Sequence, residues 1–354
     1  MNVALLNPAY WPEVRRGSER FAHELSLGLV AAGHRATIIT SHPGRTQRTV
    51  EAGVHVSRMR RPPQERMRRR MFEPWMSHYP RSARELRRVR PDVAHALYPT
   101  DGTVAAFWNG PSVLSYMGLP HRASLANYRG RLHLTQVAVN NCDAVVALSQ
   151  TAAEHFERWL GVQARVIAPG VDLEAFTPDP AVRAEQPTIL CTADANEPRK
   201  RVALLLGAFT RVRAELPDAR LVLDARGAVA PAPGVEARDL SQPGALAAAN
   251  REAWVAALPS TGEAFGLVML EAMACGTPVV GSNLGAIPEV VDSKKVGRLF
   301  DGDDPQSLAT ALLEALALAR EKKTAKACRK RAEQFPWSAT VEAYLALYRE
   351  LGAS

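Results

Sequence analysis

Short apolar runs that alternate with helix-periodic segments constrain this chain more than any other feature of it. "NVALLN" (2–7) is one apolar run, "GSERFAHELSLGLVAAGH" repeats its apolar residues at Phe21, Leu25 and Leu29, and "RATIIT" (35–40) is another run. That is strand, helix, strand, with Ser18 at the helix start and Gly33 just past its C-terminus. The alternation recurs at "PDVAHAL", "PSVLSYMG" and "CDAVVALSQTAAEHFERWL". A second series opens after the Pro-rich "FTPDPAVRAEQP" (176–187) and runs through "TILCTAD", "VALLLGAFTRVRAEL", "ARLVLDAR", a helical piece near "GALAAANREA", and "WVAALPS". Strand and helix in this order predict parallel, doubly wound sheets covered by helices on both faces. With 354 residues, 47% of them hydrophobic, there is material for two cores of ordinary domain size. The chain is therefore predicted to form two α/β domains, 1–170 and 171–337, with a closing helix in 338–354 that docks on the first through its aromatic and aliphatic face.

Several classes fall away at once. No stretch approaches the length of uninterrupted apolar sequence that spans a membrane, and "MNVALLNPAYWPE" lacks the charged start and long apolar segment of a secretory signal, so a cytoplasmic location is expected. Cys142, Cys191, Cys275 and Cys328 are too far apart for a C-x-x-C pair and sit among apolar or small residues. They are expected to be reduced structural thiols, not a disulfide framework or a zinc site. The turn after the first strand, "PAYWPEVRRGSE", lacks the G-x-G-x-x-G that brings a dinucleotide pyrophosphate onto a helix N-terminus, which counts against a nicotinamide enzyme. The net charge of +8 is unevenly spread: from Arg58 to Arg90, twelve arginines stand against Glu65, Glu73 and Glu85, a balance of +9. Interleaved Met67, Met71, Phe72, Trp75 and Met76 make this segment basic and amphipathic, which suits an anionic membrane surface or a negatively charged acceptor. A solvated face without a partner is the plain alternative. No nucleic-acid motif accompanies the charge, and no nucleic acid is expected as a partner.

The stretch "STGEAFGLVMLEAMACGTPVVGSNLGAIPEVV" (260–291) carries the chemistry. Gly262 and Gly266 loosen the chain, good helix formers run from Gly266 to Cys275, and Gly276 ends the helix before "TPVVG" opens a strand. The N-terminus of such a helix presents unpaired N–H groups and partial positive charge at the C-terminal edge of the sheet, a place for phosphate. Two carboxylates beside a phosphate would repel it unless they served hydroxyls, and a carboxylate accepts two hydrogen bonds from a vicinal diol. Glu271, about one and a half turns into the helix, suits a ribose, and Glu263, ahead of the helix, suits a second sugar beyond the phosphates. The order sugar, diphosphate, nucleoside describes a nucleotide sugar. The bland alternative makes Glu263 a helix cap and Glu271 an exposed residue.

This stretch resembles the E-x7-E signature of the retaining glycosyltransferases of family 4. "RGSERFAHELSLGLVAAGHRATIIT" is similar to that family's Gly-Gly-x-Glu loop and helix, "VVALSQTAAEHFERWLGVQARVIAPGVDLEAFTP" to its interdomain segment, and "FPWSATVEAYLALY" to its closing helix. The resemblance covers most of the chain, excepting roughly 43–90 and 225–250. It implies the GT-B fold, two doubly wound Rossmann-like domains facing each other across a deep cleft, the first on the acceptor side and the second holding the donor. It also implies that Glu271 holds the donor ribose, that Glu263 holds the donor sugar's hydroxyls, and that the amides of Phe265, Gly266 and Leu267 approach the diphosphate and sugar. "EPRK" (197–200) is similar to the basic loop of phosphatidylinositol mannosyltransferases, so Lys200, with Arg199 beside it, should neutralise the leaving diphosphate. Gly17 matches the second glycine of the N-terminal loop, where the backbone approaches a ligand, and Arg16 replaces the first.

Two further positions depart from the family pattern. Asp194 stands where the family often has arginine, and Met117 where it often has histidine; His121, four residues on, is the available substitute and, with Arg16, an expected contact to acceptor or sugar. The implied reaction is retaining transfer of a hexosyl-type sugar from a UDP- or GDP-linked donor to a sugar, lipid, phosphoinositide, polysaccharide or natural-product hydroxyl. No cofactor and no metal are expected, since the nucleotide sugar is a substrate. The rival readings are a nucleotide-sugar epimerase on the same architecture and a non-catalytic nucleotide-sugar binding protein. The Arg-rich segment from 58 to 90 implies peripheral association with the inner face of an anionic membrane.

Overall fold

Residues 1–11, 13–14, 16–225 and 231–353 are described by the computed structural model. The chain divides into two compact units, Met1–Pro169 with Trp337–Ser354, and Gly170–Pro336.

The first unit is built on strands β1 (Asn2–Leu6), β2 (Arg35–His42), β3 (Gln47–Glu51), β4 (Val54–Arg60), β5 (Val93–Ala96), β6 (Ser112–Ser115), β7 (Ala144–Ala147) and β8 (Arg165–Val166). They lie in the order β3-β4-β2-β1-β5-β6-β7-β8 and are parallel except for β3, which runs antiparallel to β4. The central strands are buried on both faces, which is why they read as apolar runs and not as alternations. Between β1 and β5 the winding reverses direction. The helix Gly17–Ala31 packs Phe21, Leu25 and Leu29 into this core. It ends with Gly33 at a φ of 81° and the His34 amide bonded back to the Leu29 carbonyl, as the glycine's position predicts.

The antiparallel strand departs from the predicted all-parallel pattern. β3 and β4 are joined by Ala52 and Gly53, both at positive φ (47° and 81°), the backbone of a tight hairpin turn. All five residues of β3 are exposed and mostly polar, as suits a sheet edge.

The Arg-rich segment is also not one amphipathic element. It comprises the end of β4, the short helix Glu65–Arg69, a 3₁₀ turn at Pro74–Ser77 and the helix Tyr79–Val89. Much of its charge is compensated: Arg58 pairs with Glu51, Arg61 with Glu13, and Arg88 and Arg48 both with the buried Glu85. The buried Glu73 pairs with Arg131 at 2.5 Å. Arg66, Arg68, Arg69 and Arg70 remain exposed beside exposed Met71, Phe72 and Met76.

The closing helix Trp337–Glu350 belongs to the first unit's core. Tyr344 and Phe21 meet edge to face with ring centroids 5.9 Å apart. A side chain at Gly28 would collide with Val341, so the absence of a β-carbon there lets the two helices meet. His95, Ser115, Tyr344 and Tyr348 form a buried network: the His95 ring nitrogens lie 2.7 Å from the Tyr348 hydroxyl and 2.7 Å from Ser115 Oγ, which is 2.8 Å from the Tyr344 hydroxyl. Burial drives the His95 pKa down to about 3, so the ring is neutral, with one nitrogen donating and one accepting.

The second unit is a six-stranded, wholly parallel sheet of β9 (Thr188–Cys191), β10 (Arg220–Asp224), β11 (Val235–Arg238), β12 (Val255–Leu258), β13 (Val279–Ser282) and β14 (Gly297–Phe300), in the order β11-β10-β9-β12-β13-β14. The chain winds outward from β9 to β11 and then returns to place β12 on the other side of β9. That reversal opens a crevice at the carboxyl ends of β9 and β12, where ligands bind in sheets of this kind. Part of the stretch 225–250, which the resemblance does not cover, lies outside the described residues at 226–230. Cys191, Cys275 and Cys328 are buried free thiols, pushed up by burial to about 11, 12 and 12 respectively. No described helix is long and apolar enough to cross a membrane.

Candidate functional site

The loops that leave β9 and β12 supply the charged groups at the crevice. After β9 the chain turns tightly: Asp194 Oδ1 accepts from the Asn196 amide at 2.9 Å and its carbonyl from the Glu197 amide at 3.1 Å. This is the short-range turn chemistry of an aspartate, and it gives Asp194 a local role. Pro198 then starts a single 3₁₀ turn, Pro198–Lys200, whose geometry puts Arg199 and Lys200 at its end. After β12, the segment from Pro259 to Gly266 runs alongside, tied by a hydrogen bond from the Thr261 amide to the Arg199 carbonyl at 2.9 Å.

Across that tie, Lys200 Nζ lies 2.5 Å from Glu263 Oε1, and both side chains are largely covered, at 16% and 15% exposure. Arg199 Nη1 lies 3.2 Å from the same oxygen, and Arg199 Nη2 lies 2.8 Å from Glu197. Burial pushes the Glu263 carboxyl up, but the neighbouring Lys200 and Arg199 charges outweigh it and hold the group below the usual carboxylate range. Glu263 is thus an ionised carboxylate facing two cations. Its own carbonyl accepts from the Ala286 amide at 3.1 Å, which fixes the loop from below.

Three residues on, Gly266 caps the helix Leu267–Ala274 at a φ of 108°, a region that a residue with a β-carbon rarely enters. No described side chain caps this helix, and the Met269 amide turns back to the Gly266 carbonyl at 2.9 Å, so the N–H groups open to a ligand at its start are those of Leu267 and Val268. Glu263 is therefore not the helix cap. Phe265 is buried, its ring meeting Phe335 edge to face at 5.6 Å, and Leu267 is half-buried at the first helical position. Glu271 is only 2% exposed, so the alternative of a merely solvated Glu271 does not hold. At the far end, Arg329 Nη1 donates to the Ala274 carbonyl at 3.0 Å, a cation at the negative end of the helix.

The sequence-derived residues therefore fall into two groups. Lys200, Arg199 and Glu263 come together in space, with Phe265, Gly266, Leu267 and Glu271 continuing from Glu263 along one segment. Arg16, Gly17 and His121 belong to the other unit. Arg16 and Gly17 are exposed where the helix Gly17–Ala31 begins, and among the described residues nothing lies within 4 Å of where a Gly17 β-carbon would stand. His121 is exposed and caps the helix Arg122–Ala126, its Nδ1 accepting from the Ser124 amide at 3.3 Å. Met117 is half-buried against the first unit's core. Sequence reasoning missed the cluster that follows β5: Arg131 Nη2 donates to the Tyr98 hydroxyl at 2.7 Å, which donates to Glu73 Oε1 at 3.2 Å. The signal was available, since Glu73 is one of only three acids among twelve arginines. Among the described residues no group of three His, Cys, Asp or Glu side chains is placed to hold a metal ion.

Comparison with known proteins gives this geometry a family. Residues 15–175 match the model described as Glycosyltransferase Family 4, and residues 186–317 match that described as Glycosyl transferases group 1. A D-inositol 3-phosphate glycosyltransferase of Xylanimonas cellulosilytica is 33% identical over 306 residues, covering 73% of this chain and 72% of that one. The chain belongs to glycosyltransferase family 4. A second relative of this family 4 chain, a phosphatidyl-myo-inositol mannosyltransferase of Propionibacterium freudenreichii, is 34% identical over 229 residues, 60% of this chain. The match spans 58% of that relative's length, less than two thirds of it. Among solved structures, a sucrose-phosphate synthase from Thermosynechococcus elongatus superposes with a TM-score of 0.81 over 99% of this chain and 98% of that one, at 23% identity. That likeness is one of fold, and it gives this family 4 chain the GT-B architecture of two Rossmann-like sheets.

Proposed function

We propose that this chain is a retaining glycosyltransferase that moves a hexosyl-type sugar from a UDP- or GDP-linked donor to an acceptor hydroxyl. The observation that carries the proposal is the Lys200–Glu263 pair at 2.5 Å, seated at the crevice of the second sheet just ahead of an uncapped helix start. In the free protein the ammonium and the carboxylate satisfy each other. A diphosphate at the helix N-terminus offers Lys200 and Arg199 a denser negative charge, which releases Glu263 to accept hydrogen bonds from the donor sugar. Glu271 takes the ribose hydroxyls.

In the transfer step the bond between the sugar's anomeric carbon and the β-phosphate oxygen breaks, and the acceptor oxygen bonds to that carbon from the same face. The acceptor proton passes to the departing phosphate oxygen. Negative charge grows on the β-phosphate as it leaves, so Lys200, Arg199 and the N–H groups after Gly266 stabilise the transition state more than the ground state. In this reading the charge is met by side chains and backbone, and no cofactor or metal is assigned a role.

The acceptor is proposed to be a polyol or sugar hydroxyl, free or carried on a lipid; the relatives named for inositol 3-phosphate and phosphatidyl-myo-inositol support a polyol. Arg66, Arg68, Arg69 and Arg70, beside exposed Met71, Phe72 and Met76, suit an anionic membrane surface, to which the chain would bind peripherally. The test is release of nucleoside diphosphate from UDP- and GDP-hexoses with and without inositol-based acceptors, with the anomeric configuration of the product read by NMR. Acceptor-dependent release with retained configuration supports the proposal. Donor binding without release on any acceptor would mark the chain as a nucleotide-sugar sensor.

A further inference from the structure

Arg201 holds a backbone conformation that its sequence neighbours do not require. Its φ of 51° lies in the left-handed region, which glycine enters freely and an arginine does not. It is the residue at which the turn Pro198–Lys200 stops and the helix Val202–Glu215 begins.

The side chain accounts for the strain. Its Nε donates to the Pro259 carbonyl at 2.5 Å, its Nη1 donates to the Gly302 carbonyl at 2.9 Å and pairs with the Asp303 carboxylate, and its Cζ lies 5.3 Å from the centroid of the Phe300 ring. The side chain is 11% exposed. One guanidinium thereby joins the loops that follow β9, β12 and β14. Lys200 is its immediate neighbour on the first loop, and Glu263 lies four residues beyond Pro259 on the second. A strained residue persists where the surrounding contacts over-determine it, and such residues gather at sites that need fixed geometry.

We infer that Arg201 is a positioning residue of the donor site, which clamps the β9 and β12 loops so that Lys200 stands opposite Glu263 before any ligand arrives. The inference rests on the proposed role of that pair in taking up a nucleoside diphosphate. The placement of Lys200 against Glu263 is also read without any ligand, from the Glu263 carboxyl itself.

The experiment compares wild type with Arg201→Gly, which relieves the backbone strain while cutting the clamp, and Arg201→Lys, which keeps the charge and part of the reach. Three quantities are measured: the melting temperature, the titration of the Glu263 carboxyl by ¹³C NMR without ligand, and kcat and KM for whichever UDP- or GDP-hexose wild type uses. In Arg201→Gly the melting temperature should stay within a few degrees. The Glu263 titration should move up toward the ordinary carboxylate value, and kcat should fall at least tenfold with KM changed less. Arg201→Lys should recover part of both. An unchanged Glu263 titration in folded Arg201→Gly overturns the inference, whatever the activity. A drop in melting temperature with titration and kcat unmoved overturns it too, as the mark of a purely structural residue. If wild type turns over no donor, the glycosyltransferase reading fails, while the Glu263 titration still decides whether Arg201 sets the pair.

Discussion

Lys200 and Glu263 are 63 residues apart in sequence and 2.5 Å apart in space. Glu263 stands out in the sequence as an acid ahead of a helix, whereas Lys200 is marked only by the likeness of "EPRK" to a basic loop of related enzymes, since a basic turn after a strand reads by itself as a solvated one. The sequence could not show that they pair, since that depends on the reversal of strand order at β9 and β12. Nor could it show the strain at Arg201, because a left-handed conformation leaves a mark in sequence only when glycine or asparagine fills it. Replacing Lys200 with Ala should lower kcat by roughly 100-fold or more, the scale of losing one preorganised charge at a developing anion, while nucleotide affinity falls less. Steady-state kinetics beside calorimetric binding would check it, and equal losses in both would contradict the assigned role. In the same variant the Glu263 carboxyl should titrate higher than in wild type, because burial then acts against a weaker opposing charge. The folded pKa of Glu263 lies below its unfolded value. Its pairing therefore stabilises the fold above the ordinary carboxylate pKa, and that contribution is lost as pH falls through the folded value.

At the level of elements, the strands and helices that alternate with clear periodicity were legible, and those that follow other rules were not. The β3–β4 hairpin turns on Ala52–Gly53, where an alanine at positive φ hides a turn that Asn-Gly or Asp-Gly would have announced. The Arg-rich segment read as one amphipathic stretch because its acids are few, yet Glu73 and Glu85 are both buried and organise the helices around them. A related buried group links the helix Tyr79–Val89 to the helix Pro99–Ala106. Asp101 is wholly buried, accepts from Ser82 Oγ at 3.0 Å and lies 3.5 Å from His78 Nε2. Burial raises its pKa to about 7, and burial together with nearby Arg61 and Arg81 lowers that of His78 to about 3, so His78 is neutral and lends no charge. With its folded pKa above its unfolded one, Asp101 favours the folded state least once it must ionise, and stability should decline as pH rises from about 4 toward 7. The Asp101→Asn variant should escape this decline. Its melting temperature relative to wild type should be higher at pH 8 than at pH 5; a difference independent of pH would contradict the reading.

Across the whole molecule, the closing helix crosses back in sequence to complete the first unit's core, with Tyr344 and Tyr348 buried against Phe21 and His95. Its amphipathic face was plain in the sequence, whereas the buried partner of each tyrosine hydroxyl was not, because His95 and Ser115 lie within short buried strands, where sequence alone predicts apolar contacts. Deleting residues 337–354 should expose that core and leave a chain that aggregates or unfolds without cooperativity, as followed by light scattering and thermal melting. A cooperative melt near the wild-type temperature would show that the first unit does not need the helix. The helix start after Gly266, with Glu271 buried behind it, is proposed to take a nucleoside diphosphate. Calorimetric titration of UDP, GDP and ADP into wild type and Glu271→Gln tests it most directly. One nucleotide should bind to wild type, and at least tenfold more weakly to a folded Glu271→Gln; no binding by any of the three, or equal binding to both proteins, would contradict it.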